Sequence, residues 1–580
     1  MGTISDKLMR IINTKEDIRQ ALISKGYDVP TSIPFKEYAK MILDLPCKVD
    51  SFPDIEGIVA RYSASGLTNE QMAANPVWVD KTGNGHDLQM KNFAWGGMSG
   101  VGGYEMNFNL WTNNVPSIPD ISMSTTTTSV SVSVGNSTYN NNLIYIHMNN
   151  WDINKNHWLK VTSTYEDGDL VFKFYNDNNS KNIELPANGY VNIPAYPEFK
   201  GNYMYISTTS NKQGSFTIEQ LPLYPGALVF DGVDDYGVCE NFPILTKEKG
   251  YTVVALRQWD QDFLNTTLTG GLLSTRNYST GEGVAFEKIE SSNKGYWNLG
   301  AGGIIDFAKS PFTWQTSKQY NNVGILKGYK NHGKPLCVGC GLSGGQQCGR
   351  FAIWELVFLD HDATEEELTK IKDYFVKTYP WLFPDQAWTV VGKTNEDEDR
   401  ATIANITGNG NDLRLSNFGF AEGSGYNEEG EYAGYLVTDG VDDKITSSTF
   451  EMGNDWTVIG DWELINTGKK NNAGIVKFDS IVIYNYNPIL INIKNGRNNL
   501  IPDQNTVNAI CSDGRIYSKD WKESIYNEET ESTSKNLLTI GYSGNSYTKI
   551  AFKNLAIYPT VLSKEDCIKA YNYLQTLKSK

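Results

Sequence analysis

The spacing of apolar positions along this chain is mostly that of β-strands. Leu88 and Met90 alternate with polar residues, as do Leu413 and Leu415, and residues 128–134 read TSVSVSV. Alternation at every second position gives a strand one apolar face. Helical spacing follows two apolar strands, at Leu368, Ile371 and Phe375 and again at Ile568, Tyr571 and Leu574. The pattern predicts a mainly β chain with few helices.

Four sequence landmarks occur twice in the same order. TGNGHDLQMKNF at 82–93 recurs as TGNGNDLRLSNF at 407–418, and LVFDGVDD at 228–235 recurs as LVTDGVDD at 436–443. LCVG at 336–339 matches LTIG at 538–541, and the closing strand and helix at 352–375 match 551–574. Recurrence of this kind indicates a duplicated structural unit. Glycine and asparagine in the first landmark predict a turn with positive φ.

The separation of matching landmarks locates an insertion in the first copy. It falls from 325 residues at the first landmark to 208 at the second and then drifts only to 199. About 117 extra residues therefore lie near 106–222, where strand signals at 128–134, 143–146, 158–161, 170–174 and 203–206 predict a separate antiparallel β-sandwich. The predicted domains are 51–105 with 223–385, the insertion at 106–222, and the second copy at 386–580.

Residues 1–50 predict a short helical module. A helix start at Asn13-Thr14 precedes Gly26, a suitable C-terminal cap, and a second helix starts near Pro34. Helices this short need a partner to bury their apolar positions. The positions expected to dock are Ile18, Leu22, Ile23, Tyr38, Met41 and Ile42.

The landmark order resembles the laminin-G-like, concanavalin-A-like jelly roll. The matching features are TGNGxDL, DGVDD and a closing strand followed by a helix capped by Thr364 or Ser563. The resemblance implies two concanavalin-A-like jelly-roll sandwiches, the first interrupted by the inserted domain. This fold carries many functions, so it names no ligand. The pattern at 13–29 and 34–42 resembles the N-terminal module of bacteriophage tail, fibre and other appendage proteins, which implies docking to a virion.

Composition narrows the classes of partner. The 580 residues carry a formal charge of −16 and include seven cysteines. Such an acidic chain, with no basic patch, is not expected to bind nucleic acid. No secretory signal or membrane-spanning stretch is recognised in the sequence, so synthesis in the cytoplasm and no membrane partner are expected. An odd, scattered set of cysteines favours reduced thiols over disulfides.

No catalytic constellation is recognised, and the chain is predicted not to be an enzyme. Glycoside hydrolases of this fold carry two carboxylates across a cleft, and the nearest run is NEDED at 395–399. That run lacks alternating apolar residues and is interpreted as a solvated loop. The five histidines lie in no recognised nucleophile motif, and GxSxG is absent.

Two groups have the residue types of metal ligands. Cys337, Cys340 and Cys348, with His332 nearby, have zinc-site spacing, but the second copy has Thr539 and Tyr542 at the first two of these positions, which favours ordinary strand thiols. The six aspartates of the repeated DGVDD could bind calcium, which takes six to eight oxygens. The favoured alternative is that they cap amides of a tight corner. No other cofactor is predicted; the aspartates are Asp231, Asp234, Asp235, Asp439, Asp442 and Asp443.

Two functional hypotheses follow. The first is a bacteriophage virion appendage, a head or tail fibre, made in the host cytoplasm and docked to other virion proteins through residues 1–50. Symmetric particles make a homo-oligomer the expected state, and lectin-like domains predict a polysaccharide ligand. The alternative is a bacterial surface adhesin or an accessory protein of carbohydrate-active enzymes. The candidates for stacking on sugars are Trp95, Trp111, Trp151 and Trp158, although the favoured alternative for each is a place in the core of a sandwich.

Overall fold

The computed structural model describes Lys15, Arg19 and most of residues 52–579. The gaps within the second range are 107, 114–120, 136–142, 145, 148–150, 154–156, 176–180, 194–195, 197–198, 200–202, 209–212, 247–248, 265, 276–284, 289–293, 298–303, 307–322, 327–334, 343–345, 431, 466–473, 479–480, 485–488, 494–496, 502–506, 526–535 and 544–545. Residues 1–54 form one unit and 55–580 another. In the first unit Lys15 and Arg19 are helical.

The first strands of the second unit are short. Before the insertion they are β1 (Ile58–Ser63), β2 (Val77–Trp78), β3 (Leu88–Lys91) and β4 (Gly100–Val101), with helix α1 at Asn69–Ala74. The insertion contributes β5 (Thr112–Asn113), β6 (Ile121–Thr125), β7 (Ser129–Val134), β8 (Leu143–Ile144), β9 (Ile146–His147), β10 (His157–Ser163), β11 (Leu170–Tyr175), β12 (Lys181–Leu185), β13 (Asn188–Ile193), β14 (Tyr203–Thr208) and β15 (Gly214–Gln220), with a 3-10 turn at Phe108–Leu110.

The first sandwich resumes after the insertion. Its strands are β16 (Leu228–Asp231), β17 (Tyr236–Cys239), β18 (Tyr251–Trp259), β19 (Gly270–Ser274), β20 (Ala285–Lys288), β21 (Lys294–Trp297), β22 (Ile304–Asp306), β23 (Val323–Leu326), β24 (Leu336–Val338), β25 (Cys340–Leu342), β26 (Gln346–Cys348) and β27 (Arg350–Leu359). Helix α2 (Gln261–Leu264) follows β18, and helix α3 (Glu365–Thr378) and a 3-10 turn (Pro380–Leu382) close the copy.

The second sandwich follows directly. Its strands are β28 (Gln386–Thr389), β29 (Thr402–Ile403), β30 (Leu413–Ser416), β31 (Gly425–Tyr426), β32 (Leu436–Val437), β33 (Lys444–Phe450), β34 (Thr457–Leu464), β35 (Gly474–Phe478), β36 (Ile481–Tyr484), β37 (Ile489–Ile493), β38 (Arg497–Ile501), β39 (Val507–Cys511), β40 (Arg515–Ser518), β41 (Glu523–Ile525), β42 (Asn536–Ile540), β43 (Tyr542–Ser543), β44 (Ser546–Tyr547) and β45 (Ile550–Tyr558). Helix α4 (Lys564–Gln575) ends it.

The two sandwiches have matching sheet topology. One sheet runs β4-β16-β27-β18-β23 in the first and β31-β32-β45-β34-β39 in the second, with β1 and β28 as extra partners of the closing strands. The other runs β2-β3-β17-β24-β19-β20-β21-β22 and β29-β30-β33-β42-β35-β36-β37-β38. The inserted segment forms two further sheets, β13-β10-β15-β7-β6 and β12-β11-β14-β8. The prediction of a mainly β protein built from β-sandwiches is confirmed.

Among the described residues, each sandwich has its own apolar core between its sheets. The first draws on Trp78 and Leu88 from one sheet and on Phe230 and Phe358 from the other. The second core and that of the insertion, with Phe172 and Ile218, are built in the same way. Alternating burial, such as the buried and exposed residues of Leu88–Lys91, follows the alternation in the sequence. The domain boundaries drawn from the sequence stay a prediction.

The two long helices start as their sequences predict. At α3 the Thr364 side chain accepts the Glu367 amide and the Glu367 carboxylate accepts the Thr364 amide, which completes a capping box. At α4 the Ser563 hydroxyl accepts the Asp566 amide. Within the described part of the chain, no helix is long and apolar enough to cross a membrane.

Helix α4 contacts all three sandwiches. The Tyr573 ring lies edge-on to Trp354 of the first sandwich, with centroids 5.9 Å apart, and its hydroxyl bonds to Gln258 there. The Tyr571 ring meets Trp158 of the insertion at 5.0 Å. Since Tyr571 and Tyr573 are only 2 % exposed, α4 fixes the second sandwich against the other two.

Candidate functional site

The repeated DGVDD sequence forms the same hydrogen-bonded corner in both sandwiches. The Asp231 carboxylate accepts the Val233 amide at 2.7 Å, and the Asp235 carboxylate accepts the Asp231 amide at 3.0 Å. In the second copy Asp439 accepts the Val441 amide and Asp443 accepts the Asp439 amide, both at 2.7 Å. The valine at the tip is turned outward in both copies, 75 % and 69 % exposed.

A glycine-rich loop is tied to each corner. The Ser99 hydroxyl donates to Asp235 at 3.0 Å and accepts the Ala94 amide at 2.8 Å, and the Asn92 side-chain amide donates to the Asp234 carbonyl. Ser424, Asp443, Gly419, Asn417 and Asp442 repeat the same bonds in the second copy. The corner and loop therefore act as one rigid surface.

Each loop holds an aromatic residue in the left-handed region. Trp95 has φ of 51° and Phe420 has φ of 50°, a conformation unfavourable for bulky side chains. Both side chains are half-buried; Trp95 stacks on Phe93 at 4.7 Å, and Phe420 lies 5.1 Å from the Arg400 guanidinium. Backbone strain of this kind needs surrounding structure to maintain it, and the corner hydrogen bonds supply that structure.

A hairpin completes this surface, which we call the corner face: the corner, the loop Asn92–Gly100 or Asn417–Gly425, and the hairpin β25–β26 or β43–β44. In the second sandwich Tyr542 and Tyr547 are cross-strand partners with ring centroids 5.2 Å apart. The ammonium of Lys444, the residue after the corner, lies 4.9 Å from one ring and 5.7 Å from the other. In the first sandwich the hairpin pairs Cys340 with Cys348.

The corner carboxylates do not fit a calcium shell. Carboxylate oxygens of each triad lie within 4.8 Å of one another, but both oxygens of Asp235 already accept hydrogen bonds and this side chain is fully buried. Calcium takes six to eight oxygens, whereas the neighbouring groups here are N–H and O–H donors. Burial raises the pKa of Asp235 to about 7 and that of Asp443 to about 6, which reduces the negative charge available to a cation.

The cysteines of the zinc hypothesis are buried strand residues. Cys337, Cys340 and Cys348 pack together beneath Tyr236 and Val238. Among the described residues only the two aspartate triads place three metal-capable atoms within 4.8 Å. His332 lies outside the described residues. The arrangement gives no support to a zinc site.

Two of the four candidate tryptophans lie in the core of the inserted sandwich. Trp111 is 3 % exposed and Trp151 is 8 % exposed, so neither offers a ring face to a sugar, and that interpretation of both is corrected. The asparagines next to Trp111 and Trp151 in the sequence suggested a solvent-exposed position. Burying a large aromatic ring stabilises the fold, and the tertiary structure places both rings in the core. Trp158 is half-buried against Tyr571, and Trp95 belongs to the corner face.

Other sequence-predicted positions lie elsewhere. The docking positions Ile18, Leu22, Ile23, Tyr38, Met41 and Ile42 are outside the described residues. Sequence reasoning missed Lys444, Tyr542 and Tyr547. Alignment of the two copies places Tyr542 opposite Cys340, and a tyrosine on both sides of the sequence Ser-Gly-Asn-Ser was the signal that could have found the pair.

Comparisons with known proteins leave the family unassigned. No protein-family model matches the chain, and no curated protein matches it. Similar solved structures include a Trypanosoma rangeli sialidase in complex with sialic acid, at 8 % identity and TM-score 0.24, covering 79 % of this chain and 85 % of that one. The ligand-binding domain of botulinum neurotoxin serotype D in complex with N-acetylneuraminic acid has 10 % identity and TM-score 0.22, covering 59 % and 92 %.

A third structure, the botulinum neurotoxin type G receptor-binding domain, has 12 % identity and TM-score 0.21, covering 32 % of this chain and half of that one. Scores this low transfer no site or ligand. The sequence prediction that the chain is not an enzyme is nevertheless contradicted, since sialidases are enzymes and stand among the matches. That prediction is dropped.

Proposed function

We propose that the chain binds glycans through its two corner faces and belongs to a bacteriophage virion appendage. The observation that carries the binding proposal is the repeated corner face itself. In both copies the same hydrogen bonds hold the loop that carries a half-buried aromatic, Trp95 or Phe420, together with the exposed side chains of an asparagine and an aspartate.

This combination matches the chemistry of a sugar ring. Aromatic faces cover the apolar C–H patches of a pyranose, while amide and carboxylate groups bond to its hydroxyls. Small-molecule sites generally combine apolar surface with a few fixed polar groups. Two equivalent faces on one chain also provide bivalence, which raises apparent affinity for a polymeric ligand beyond that of either face.

A glycan array tests the binding proposal. We expect Trp95→Ala combined with Phe420→Ala to weaken binding at least tenfold, which corresponds to about 1.4 kcal/mol. Trp95→Phe, which copies the second sandwich, should retain most of the binding. Tyr175→Ala is the matched control, because Tyr175 is a 39 % exposed aromatic on the insertion. Unchanged binding by the double variant would remove the corner faces from the proposal.

The virion role is supported by the resemblance of residues 13–42 to the N-terminal modules of phage appendages and by the duplicated binding face, which suits an attachment protein. Mass spectrometry of purified particles of the virus whose genome encodes the chain tests this role. We expect the chain in stoichiometric amount with other virion proteins. Its absence from such particles would refute the virion role and leave the glycan proposal standing.

A further inference from the structure

We infer that the corner face of the second sandwich selects anionic saccharides, which carry carboxylate or sulfate groups. This inference rests on the proposed glycan binding and names the ligand class for one of the two faces. It depends on Lys444, Lys549 and the tyrosine pair of the β43–β44 hairpin, which the first sandwich does not share.

Lys444 is a cation held in place without an anion. Its ammonium lies over Tyr542 and Tyr547 at 4.9 and 5.7 Å, and its side chain is half-buried. Among the described residues no carboxylate forms an ion pair with it. Aromatic faces position a cation by their quadrupole without neutralising it, so the charge stays available to a bound anion.

Lys549 adds a second cation to the same face. Its backbone packs on the corner at Gly440, and its ammonium lies 4.0 Å from the position that a Cβ atom of Gly423 would occupy in the loop. It too has no ion-pair partner among the described carboxylates. In the first sandwich the aligned residue is Arg350, whose guanidinium is 3.6 Å from Asp260. The cation is therefore paired in one copy and unpaired in the other.

Two unpaired lysines are notable in a chain with a net charge of −16. Asp439 and Asp443 form no ion pair with either lysine and instead accept hydrogen bonds from backbone amides and the Ser424 hydroxyl. The face thus offers the half-buried Phe420 ring for a pyranose, two ammonium groups for its acidic substituent and the exposed Asp442 for its hydroxyls. An anionic sugar satisfies all three, whereas a neutral sugar leaves both cations unpaired.

Three polymers as probes test the inference on the full chain: polygalacturonate with carboxylates, dextran sulfate with sulfates, and neutral dextran. We expect at least tenfold tighter binding of one or both anionic polymers than of dextran, weakening with salt as screening grows. Whichever anionic polymer binds more tightly identifies the acidic group. Lys444→Gln combined with Lys549→Gln should abolish the preference.

Lys372→Gln is the matched control, since Lys372 is an exposed lysine on helix α3, outside both corner faces, and it should leave the preference intact. Thermal unfolding of each variant establishes that it is folded. Binding of dextran as tightly as the anionic polymers, binding of none of the three, or an intact preference in the double lysine variant would overturn the inference. If the inference failed but the Trp95→Ala, Phe420→Ala double variant still lost binding to neutral glycans on the array, the proposed function would stand.

Discussion

At the scale of single residues, the aspartates that end the two corners differ from ordinary surface carboxylates. Asp235 is fully buried and Asp443 is 1 % exposed. Burial disfavours the charged form, and it raises the pKa of Asp235 to about 7, with the nearby Asp231 charge adding to the shift. The hydrogen bonds from Ser99 and the Asp231 amide oppose the shift without cancelling it.

This pKa predicts a pH dependence of stability. An unfolded aspartate titrates near pH 3.9, so between about pH 4 and 7 the folded chain binds more protons at Asp235 than the unfolded chain does. The stability linked to this group is complete below about pH 4 and is lost as the pH rises through 7. Asp235→Asn should remove that loss, seen in urea unfolding at a series of pH values.

Asp442→Asn serves as the control, because Asp442 is exposed at the second corner. The difference between variant and wild type isolates Asp235 from other carboxylates, whose contributions cancel. A wild-type and an Asp235→Asn profile that run parallel from pH 4 to 7 would show that Asp235 does not titrate in this range.

Single residues also mark where sequence reasoning stops. Glycines and asparagines at positive φ, such as Gly83 and Gly408, identify turns because the backbone itself requires them. The exposure of a side chain, in contrast, is not determined by its neighbours in the sequence. Trp111 and Trp95 both lie within three residues of an asparagine, and only the tertiary fold buries one and leaves the other partly exposed.

At the scale of elements, strands and helices with strong periodicity were predictable. The capping residues Thr364 and Ser563, and the alternation in Leu88–Lys91, match the observed elements because local interactions decide them. The tyrosine pair with Lys444 was not predictable in this way. Lys444 opens β33 and Tyr542 follows β42, and these strands, far apart in sequence, become neighbours only through sheet register.

At the scale of the whole molecule, the duplication is the feature best seen from sequence, because four landmarks recur in order. The way the copies meet was not visible there. Helix α4 of the second sandwich packs on Trp354 and Gln258 of the first. In the corresponding α3, the Tyr374 hydroxyl accepts a hydrogen bond from Arg61 of its own copy, and Arg61 pairs with Glu355 there. Equivalent helices thus make different contacts, and two similar sequences cannot reveal which helix joins the copies.

The α4 contact predicts coupled unfolding. Tyr573→Ala removes a buried ring from the interface, a change that typically costs about 3–5 kcal/mol. We expect calorimetry to show one transition of the wild-type chain splitting into two in the variant. Tyr573→Phe, which keeps the ring and loses only the hydroxyl, is the control and should preserve the coupling. A Tyr573→Ala chain that unfolds as the wild type does would show that other contacts join the sandwiches.

The junction of the inserted segment has a consequence for how such proteins are assembled. Strands β4 and β16, which flank the insertion, are paired neighbours. The pairing continues toward the insertion through hydrogen bonds from the Leu223 and Tyr224 amides to the carbonyls of Gly103 and Gly102. The two ends of the inserted domain are therefore connected to adjacent strands of the first sandwich, one strand spacing apart. In the second sandwich the equivalent strands β31 and β32 are paired in the same way. A different domain inserted between β4 and β16 would therefore leave the strand register of the first sandwich unchanged.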